Sequence, residues 1–463
     1  MNAMICETVT APTRMNAFQR LMYQWNELHP YQAIHSYTID EPLCLLRLQR
    51  AIAESYQHCG LGWVVVEPDG RSYRHTVDAC PAVDVLAGGE QPHATLLEHV
   101  NRELNRPFDR SCGKPMRFSV VDRGRGGFVL NLAYDHWIAD STAARALLRH
   151  VLGRYWHLPI PENQQPLDLD PATYRDVFSH QLRWPRLAAA ALRCVGHWWR
   201  NRSVARVPYS SFDLMTNGYR LYPTQPGTVA RLQRFARRQG GTVHDVILAA
   251  LGRALAATLP RRALREGRHL ALGTIVDTRS DANRNLSDSF AAYLGYYLVR
   301  MGCDQPVSLS EATQRMAAAT REIKTRKTYL DSLVNMKLAS GIWARLPAAP
   351  RRHFMHDAFP LTAGVSNVCL RESWIDRWAG GRIVDYSRAA STGPILPLTL
   401  TPTTLGTQMN VGVSYRVTGF TREKIDRLMD MFLDQIEHPA AVRVGGGIPS
   451  SPQPEPLLGV GST

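Results

Sequence analysis

The stretch Phe128-Val-Leu-Asn-Leu-Ala-Tyr-Asp135-His136-Trp-Ile-Ala-Asp140-Ser141 decides how the chain reads. Phe128, Val129, Leu130, Leu132 and Ala133 form a short apolar run that predicts a buried strand. Ser141 is expected to cap a helix whose inner face carries Ala144, Leu147, Leu148 and Val151. His136 therefore stands where a strand ends and a helix begins, a place where a rigid scaffold presents a reactive side chain. The bare pattern His-x-x-x-Asp carries little weight, because a chain with 16 histidines meets it by chance. It recurs at His353 and Asp357, behind Arg351-Arg352 and with no strand before it. His353 is read as an exposed or locally satisfied histidine, and His136 as the centre of the chemistry.

Working outward, the turn Gly124-Arg125-Gly126-Gly127 joins paired strands expected over 115–122 and 127–134. Helices are expected over 18–25, 43–56 and 96–104, and a strand over 63–67 runs into the turn Pro68-Asp69-Gly70. A proline-rich stretch over 158–171 follows. Next comes a basic segment carrying Trp184, Leu187, Leu192, Val195, Trp198 and Trp199. It reads as a bridging helix with buried aromatics, while tryptophan and arginine on one helix leave peripheral membrane contact open. Beyond it, helices over 228–238, 242–259, 309–327 and 421–436 alternate with strands over 270–276 and 408–417. Gly240-Gly241 stops one helix, and Thr242 or its neighbour caps the next. At 463 residues the chain exceeds what one ordinary core organises. The expected division is an N-terminal lobe over 1–157, a linker and bridging helix over 158–208, a C-terminal lobe over 209–444, and a disordered glycine- and proline-rich tail over 445–463.

Composition narrows the function classes. With 44% apolar and 20% charged residues, the chain is of globular rather than disordered type. No apolar run of about 18 residues reads as a membrane span, and the first residues lack the pattern of a secretory signal. Eight cysteines occur without a CxxC pair, which argues against a zinc ribbon or a disulfide framework and fits a reducing cytoplasm. No metal site is expected. The formal charge of +14 rests on arginine, since the lysines are only Lys114, Lys324, Lys327, Lys337 and Lys424. Such a balance favours an acidic partner. Nucleic acid is set aside, because zinc-finger spacing, an aromatic RNP-like strand and a basic run with interleaved aromatics are all missing.

A family resemblance emerges from motifs in order. Asn105-Arg106-Pro107-Phe108-Asp109 and Lys114-Pro115-Met116-Arg117-Phe118 precede the His136 strand. Val276-Asp277-Thr278-Arg279, Leu294-Gly295-Tyr296-Tyr297-Leu298 and Gly364-Val365-Ser366-Asn367-Val368 follow it. Together, over roughly residues 15 to 440, the chain resembles the condensation-domain and chloramphenicol-acetyltransferase superfamily, which includes BAHD-type and wax-ester-synthase branches. Gln57 to Gly62 is similar to the family's Arg-His-x-x-Leu-Arg stretch, with Gly62 in place of the second arginine. Asp135 stands where the condensation form has a first histidine, and Ser141 where it has glycine. For the Asp-Phe-Gly-Trp-Gly motif of other branches, the run from Asp376 to Gly381 is only a loose echo.

The resemblance implies an α/β fold of two chloramphenicol-acetyltransferase-like sandwich lobes in a V with a central active-site tunnel. It implies an acyltransferase, expected to be free-standing, that moves an acyl group from a thioester to an alcohol or amine. His136 is the general base, for which imidazole has a suitable pKa. Asp140 is structural, paired with an arginine for which Arg279 and Arg117 are the choices. Asp135, Ser141, Ser366 and Asn367 are candidates for lining the site or holding the oxyanion. No permanently bound cofactor is expected, only coenzyme A or a phosphopantetheine carrier as acyl donor. The partners are then a small-molecule acceptor and an acidic acyl or peptidyl carrier protein. The alternatives are a catalytically degenerate carrier-binding module, a membrane-associated wax-ester or neutral-lipid synthase, and, ranked lower, an epimerase.

Overall fold

A computed structural model describes residues 12–76, 80–111, 113–158, 166–169, 173–180, 183–303, 307–370 and 380–440. The expected tail over 445–463 and most of the Asp376 run lie outside these residues. Two larger sheets and one small one carry the fold. The first sheet orders its strands Ile383–Ala390, Gln32–Ile39, Phe128–Asp135, Met116–Asp122 and Val83–Ala87, antiparallel except for the last pair. All eight residues of Phe128–Asp135 are buried, Asn131 and Asp135 along with the apolar residues that predicted the strand. Gly127, at φ +88°, admits the sharp entry into this strand. A Cβ there would fall 2.0 Å from the Ile39 carbonyl oxygen, so no other residue fits. Leu45–Cys59 and Ser141–Tyr155 pack on each other beside this sheet.

The second sheet runs Leu294–Gly302, His269–Asp277, Ala363–Val365, Leu398–Leu405, Gln408–Arg416 and Asn217–Pro223, with Val368–Leu370 also paired to Leu398–Leu405. Its helix Val243–Thr258 is apolar almost all round, because Leu309–Thr325 and Arg422–Glu437 cover it. Thr242 caps that helix through a reciprocal bond pair with Asp245.

The two halves of the chain are not cleanly segregated. Ile383–Ala390, from the second half, forms the edge strand of the first sheet. In the other direction, the helix Pro92–Asn105 carries Asn101 and Asn105 one turn apart. Each side-chain amide both donates to and accepts from the backbone of the second sheet's edge strand, at Tyr219 and Asn217 respectively. Two asparagines thus serve that exposed edge as a neighbouring strand would.

The bridging segment departs from expectation. Trp184–Asn201 is a helix, but Trp184 is 85% exposed, Leu192 74% and Trp199 60%, rather than buried. It leans on the helix Asp331–Trp343, with Arg193 held by Asp331 at 2.6 Å, and that contact covers only one side.

Candidate active site

His136 follows the last residue of the Phe128–Asp135 strand, and its backbone N–H donates to the Tyr31 carbonyl at 3.0 Å. Its ring stacks on Tyr31, with centroids 5.3 Å apart, and meets the edges of Phe18 and Tyr134. Nδ1 lies 3.2 Å from the Ala139 carbonyl. A carbonyl can only accept, so Nδ1 carries the proton and Nε2 keeps a lone pair. Burial lowers the imidazole pKa below its ordinary value, and the Arg388 charge adds to that. Asp140 and the Ala139 bond pull the other way. A neutral ring with a basic Nε2 results.

Asp140 holds the turn in place. Its Oδ1 accepts from the backbone N–H groups of Thr142 and Ala143, so Asp140, not Ser141, caps the helix Ser141–Tyr155. A carboxylate has a second oxygen for a second task, which serine lacks. Here Oδ2 accepts from Arg279 Nη1 at 2.5 Å and from the Tyr293 N–H at 3.0 Å. Burial alone would raise the Asp140 pKa, but the Arg279 charge and these bonds outweigh it and hold it below the usual range. Of the two expected partners, Arg279 is the one that meets Asp140, and it also donates to Asp277, Leu286 and Ala291. Arg117 is occupied elsewhere, bonded to Glu103 at 2.6 Å. Gly62 could not have supplied the cation, since even a Cβ there would fall 1.5 Å from the Thr76 carbonyl oxygen.

Asp135 does not line the site, contrary to expectation. The alternation that turns Tyr134 toward the cavity turns Asp135 away. Its two oxygens accept from Asn26 Nδ2 and Trp137 Nε1, and burial raises its pKa to about 6. Asn26 in turn accepts from the Tyr31 N–H, so Asp135 helps fix the ring on which His136 stacks.

A cavity of about 380 Å³ opens beside His136, and both halves of the chain contribute to it. Ser141, Ser366 and Asn367 are among its lining residues. The Ser366 N–H is committed to the Leu400 carbonyl, which leaves its hydroxyl for other work. The side-chain oxygen Oδ1 of Asn367, an acceptor, is buried without a hydrogen-bond partner among the described residues, so only its Nδ2 could serve as a donor. Sequence reasoning missed four neighbours: Tyr31, His35, Arg145 and Arg388. His35 bridges the hydroxyls of Tyr134 and Tyr386, at 3.3 and 2.8 Å. No local motif marks these residues: strand pairing brings His35 and Arg388 together, and Arg145 joins them from the helix after the His136 turn. His353 is exposed and stacks on Phe212, so the second His-x-x-x-Asp match has no part in the cavity. Among the described residues no group of three or more His, Cys, Asp or Glu could hold a metal ion, and no helix is long and apolar enough to cross a membrane.

Comparison with known proteins agrees with this architecture. The family model described as "Condensation domain" matches residues 17–337. No curated protein matches the chain. Among solved structures, the first condensation domain of the calcium-dependent antibiotic synthetase, in complex with a substrate analogue, is similar at 14% identity and TM-score 0.69. The match covers 93% of this chain and 98% of that one. The starter condensation domain of rhizomide synthetase, a mutant in complex with C8-CoA and Leu-SNAC, is similar at 13% identity and TM-score 0.63, covering 92% and 94%. The epimerization domain from the third module of tyrocidine synthetase B is similar at 14% identity and TM-score 0.62, covering 95% and 99%. At such identities the likeness speaks for the fold: two chloramphenicol-acetyltransferase-like lobes.

Proposed function

The chain belongs to the condensation-domain family, and on that premise we propose that it transfers an acyl group from a thioester to an alcohol or amine, with His136 as general base. The observation that carries this reading is the Nδ1 bond to Ala139, which leaves Nε2 basic in a ring that borders an open cavity. In the reaction, Nε2 takes the proton of the acceptor as its oxygen or nitrogen bonds to the acyl carbon. The carbon–sulfur bond then breaks and the proton passes to the departing thiolate. The Ser366 hydroxyl and the Asn367 amide are the donors for the oxyanion between these steps. Asp140 and Arg279 act by holding the turn that aims His136. A degenerate module that only binds a partner would have no use for such an arrangement.

The donor is a thioester of coenzyme A or of a phosphopantetheine carrier. The charge of +14 supports an acidic docking partner. Donor affinity should then weaken as salt rises. The decisive test is His136→Ala with acyl thioesters and mixed alcohol and amine acceptors, followed by product mass. Turnover should fall by about 10² or more with folding intact. Near-wild-type turnover overturns the assignment.

The exposed stripe of Trp184, Leu192, Val195 and Trp199, flanked by Arg186 and Arg200, supports peripheral membrane contact as a second property. Co-sedimentation with anionic vesicles, lost in a Trp184→Ser/Trp199→Ser double variant, is the expected result. Equal recovery with and without vesicles removes this property and leaves the acyl-transfer reading intact.

A further inference from the structure

Arg388 lies on the Ile383–Ala390 strand, directly across from His35, on the face that also carries Tyr386. It is 5% exposed and lines the cavity beside His136. Its Nε donates to Thr403 Oγ1, its Nη2 to the carbonyls of Ser366 and Pro402, and its Nη1 to Ser366 Oγ at 3.4 Å. A guanidinium has five N–H donors. The remaining one, on Nη1, has no acceptor among the described residues, and no carboxylate lies within 4.0 Å of this side chain.

A second arginine faces the same space. Arg145, half-buried on the helix Ser141–Tyr155, donates to Ser141 Oγ and Thr142 Oγ1, both at 3.2 Å, and meets the Tyr386 hydroxyl. It too has only hydroxyl partners, and its charge opposes that of Arg388. Among the described residues the one carboxylate lining the cavity is Asp277, which is already engaged by Arg279 and by the Thr142 hydroxyl. Another buried guanidinium, Arg416, also lacks a carboxylate, but it lies under the rings of Tyr209 and Phe212 and away from the cavity. Two cations withdrawn from water with neutral partners are unfavourable unless an anion joins them.

We propose that Arg145 and Arg388 form an anion subsite, and that the acceptor is an untethered amino or hydroxy acid whose free carboxylate docks there. Its amine or hydroxyl then faces Nε2 of His136. This rests on the acyl-transfer reading above and adds the class of acceptor. A carrier-bound aminoacyl group has its carboxyl carbon in a thioester and carries no negative charge, so it leaves both arginines unanswered. Guanidinium suits this task through its fork of donors, which matches a carboxylate.

The test separates binding from turnover. Free L-amino acids, the matching hydroxy acids and the carboxamides of both are titrated into the full chain, and the ligand-induced rise in Tm gives affinity. At least one free acid should bind tenfold or more tightly than its carboxamide. Arg388→Met should abolish that preference and His136→Ala should keep it. Arg145→Met is the second variant should Arg388→Met fold poorly, and it should weaken the same preference. Equal binding of acid and carboxamide overturns the subsite, as does no binding of any free acid at millimolar concentration. A preference for coenzyme A over N-acetylcysteamine thioesters, lost in Arg388→Met with no preference among acceptors, assigns the arginines to a donor phosphate and overturns the proposal. Acid-selective binding without product from any thioester keeps the subsite and sinks the acyl-transfer reading instead.

Discussion

The turn behind His136 and the lining of the cavity beside it treat charge in opposite ways. In the corner behind His136, the carboxylate of Asp140 meets Arg279 at 2.5 Å together with three backbone N–H groups. In the lining of the cavity, Arg388 and Arg145 meet only hydroxyl and carbonyl oxygens. The first arrangement is complete without a ligand and fixes geometry. The second is incomplete and stands ready for one. Burial by itself therefore does not separate a structural arginine from a binding one; the charge of its partners does.

Breaking the corner should have the largest effect. Asp140→Ala removes a helix cap and leaves the Arg279 guanidinium buried without its closest counter-charge, so unfolding free energy should fall by about 3–5 kcal/mol. Denaturant titration measures this, and a loss under about 1 kcal/mol would mean that the corner is no more self-sufficient than the lining. The next largest effect concerns Asp135, a buried carboxyl whose hydrogen-bond donors are neutral and whose burial outweighs the Arg110 charge. Its folded pKa of about 6 lies above the unfolded value of about 3.9. Its contribution is thus fully present below about pH 4 and is lost as pH rises through 6, on the order of 3 kcal/mol in all. Asp140, whose pKa is lowered, has the opposite sign: its contribution is present above about pH 4 and is lost in acid. Comparing wild type with Asp135→Asn between pH 4 and 7 isolates the first trend, and parallel curves would contradict it.

The lining should be far more tolerant. Arg388→Met should change stability by no more than about 1 kcal/mol, because an unanswered buried cation and a long apolar side chain are close in cost. A loss like that of Asp140→Ala would make Arg388 structural. The smallest effect is on acidity. The His136 pKa lies below its ordinary value, so the acid limb of kcat/KM should fall at a pH under 6.5. Since the Arg388 charge helps lower it, Arg388→Met should move that limb upward, and a downward move would contradict the geometry.

Much of the frame was legible in the chain itself. The apolar residues around Asn131 before Asp135, bounded by the glycine turn at 124–127, read as a buried strand, and Thr242 or its neighbour reads as a cap without any tertiary knowledge. The Asp140–Arg279 pair was half legible, because two arginines fitted and only folding chose between them. Ser141 was mistaken for the cap because residue type does not tell which of two adjacent oxygens points at the free N–H groups. Trp184 and Trp199 were misplaced because hydrophobicity sets a preference for burial, whereas burial itself needs a surface to pack against. Arg388 carried no local signal. Its meaning depends on His35, which lies next to it only through a strand pairing made across more than 300 residues of sequence.

That pairing also bears on how the chain comes into being. A ribosome delivers Gln32–Ile39 long before Ile383–Ala390, and until the later strand emerges the earlier one is an open edge. Open edges invite pairing with other chains. The first sheet therefore passes most of synthesis as a nascent segment that needs shielding. For the same reason, a fragment cut at the linker near residue 157 would keep that edge bare however well its own core packed.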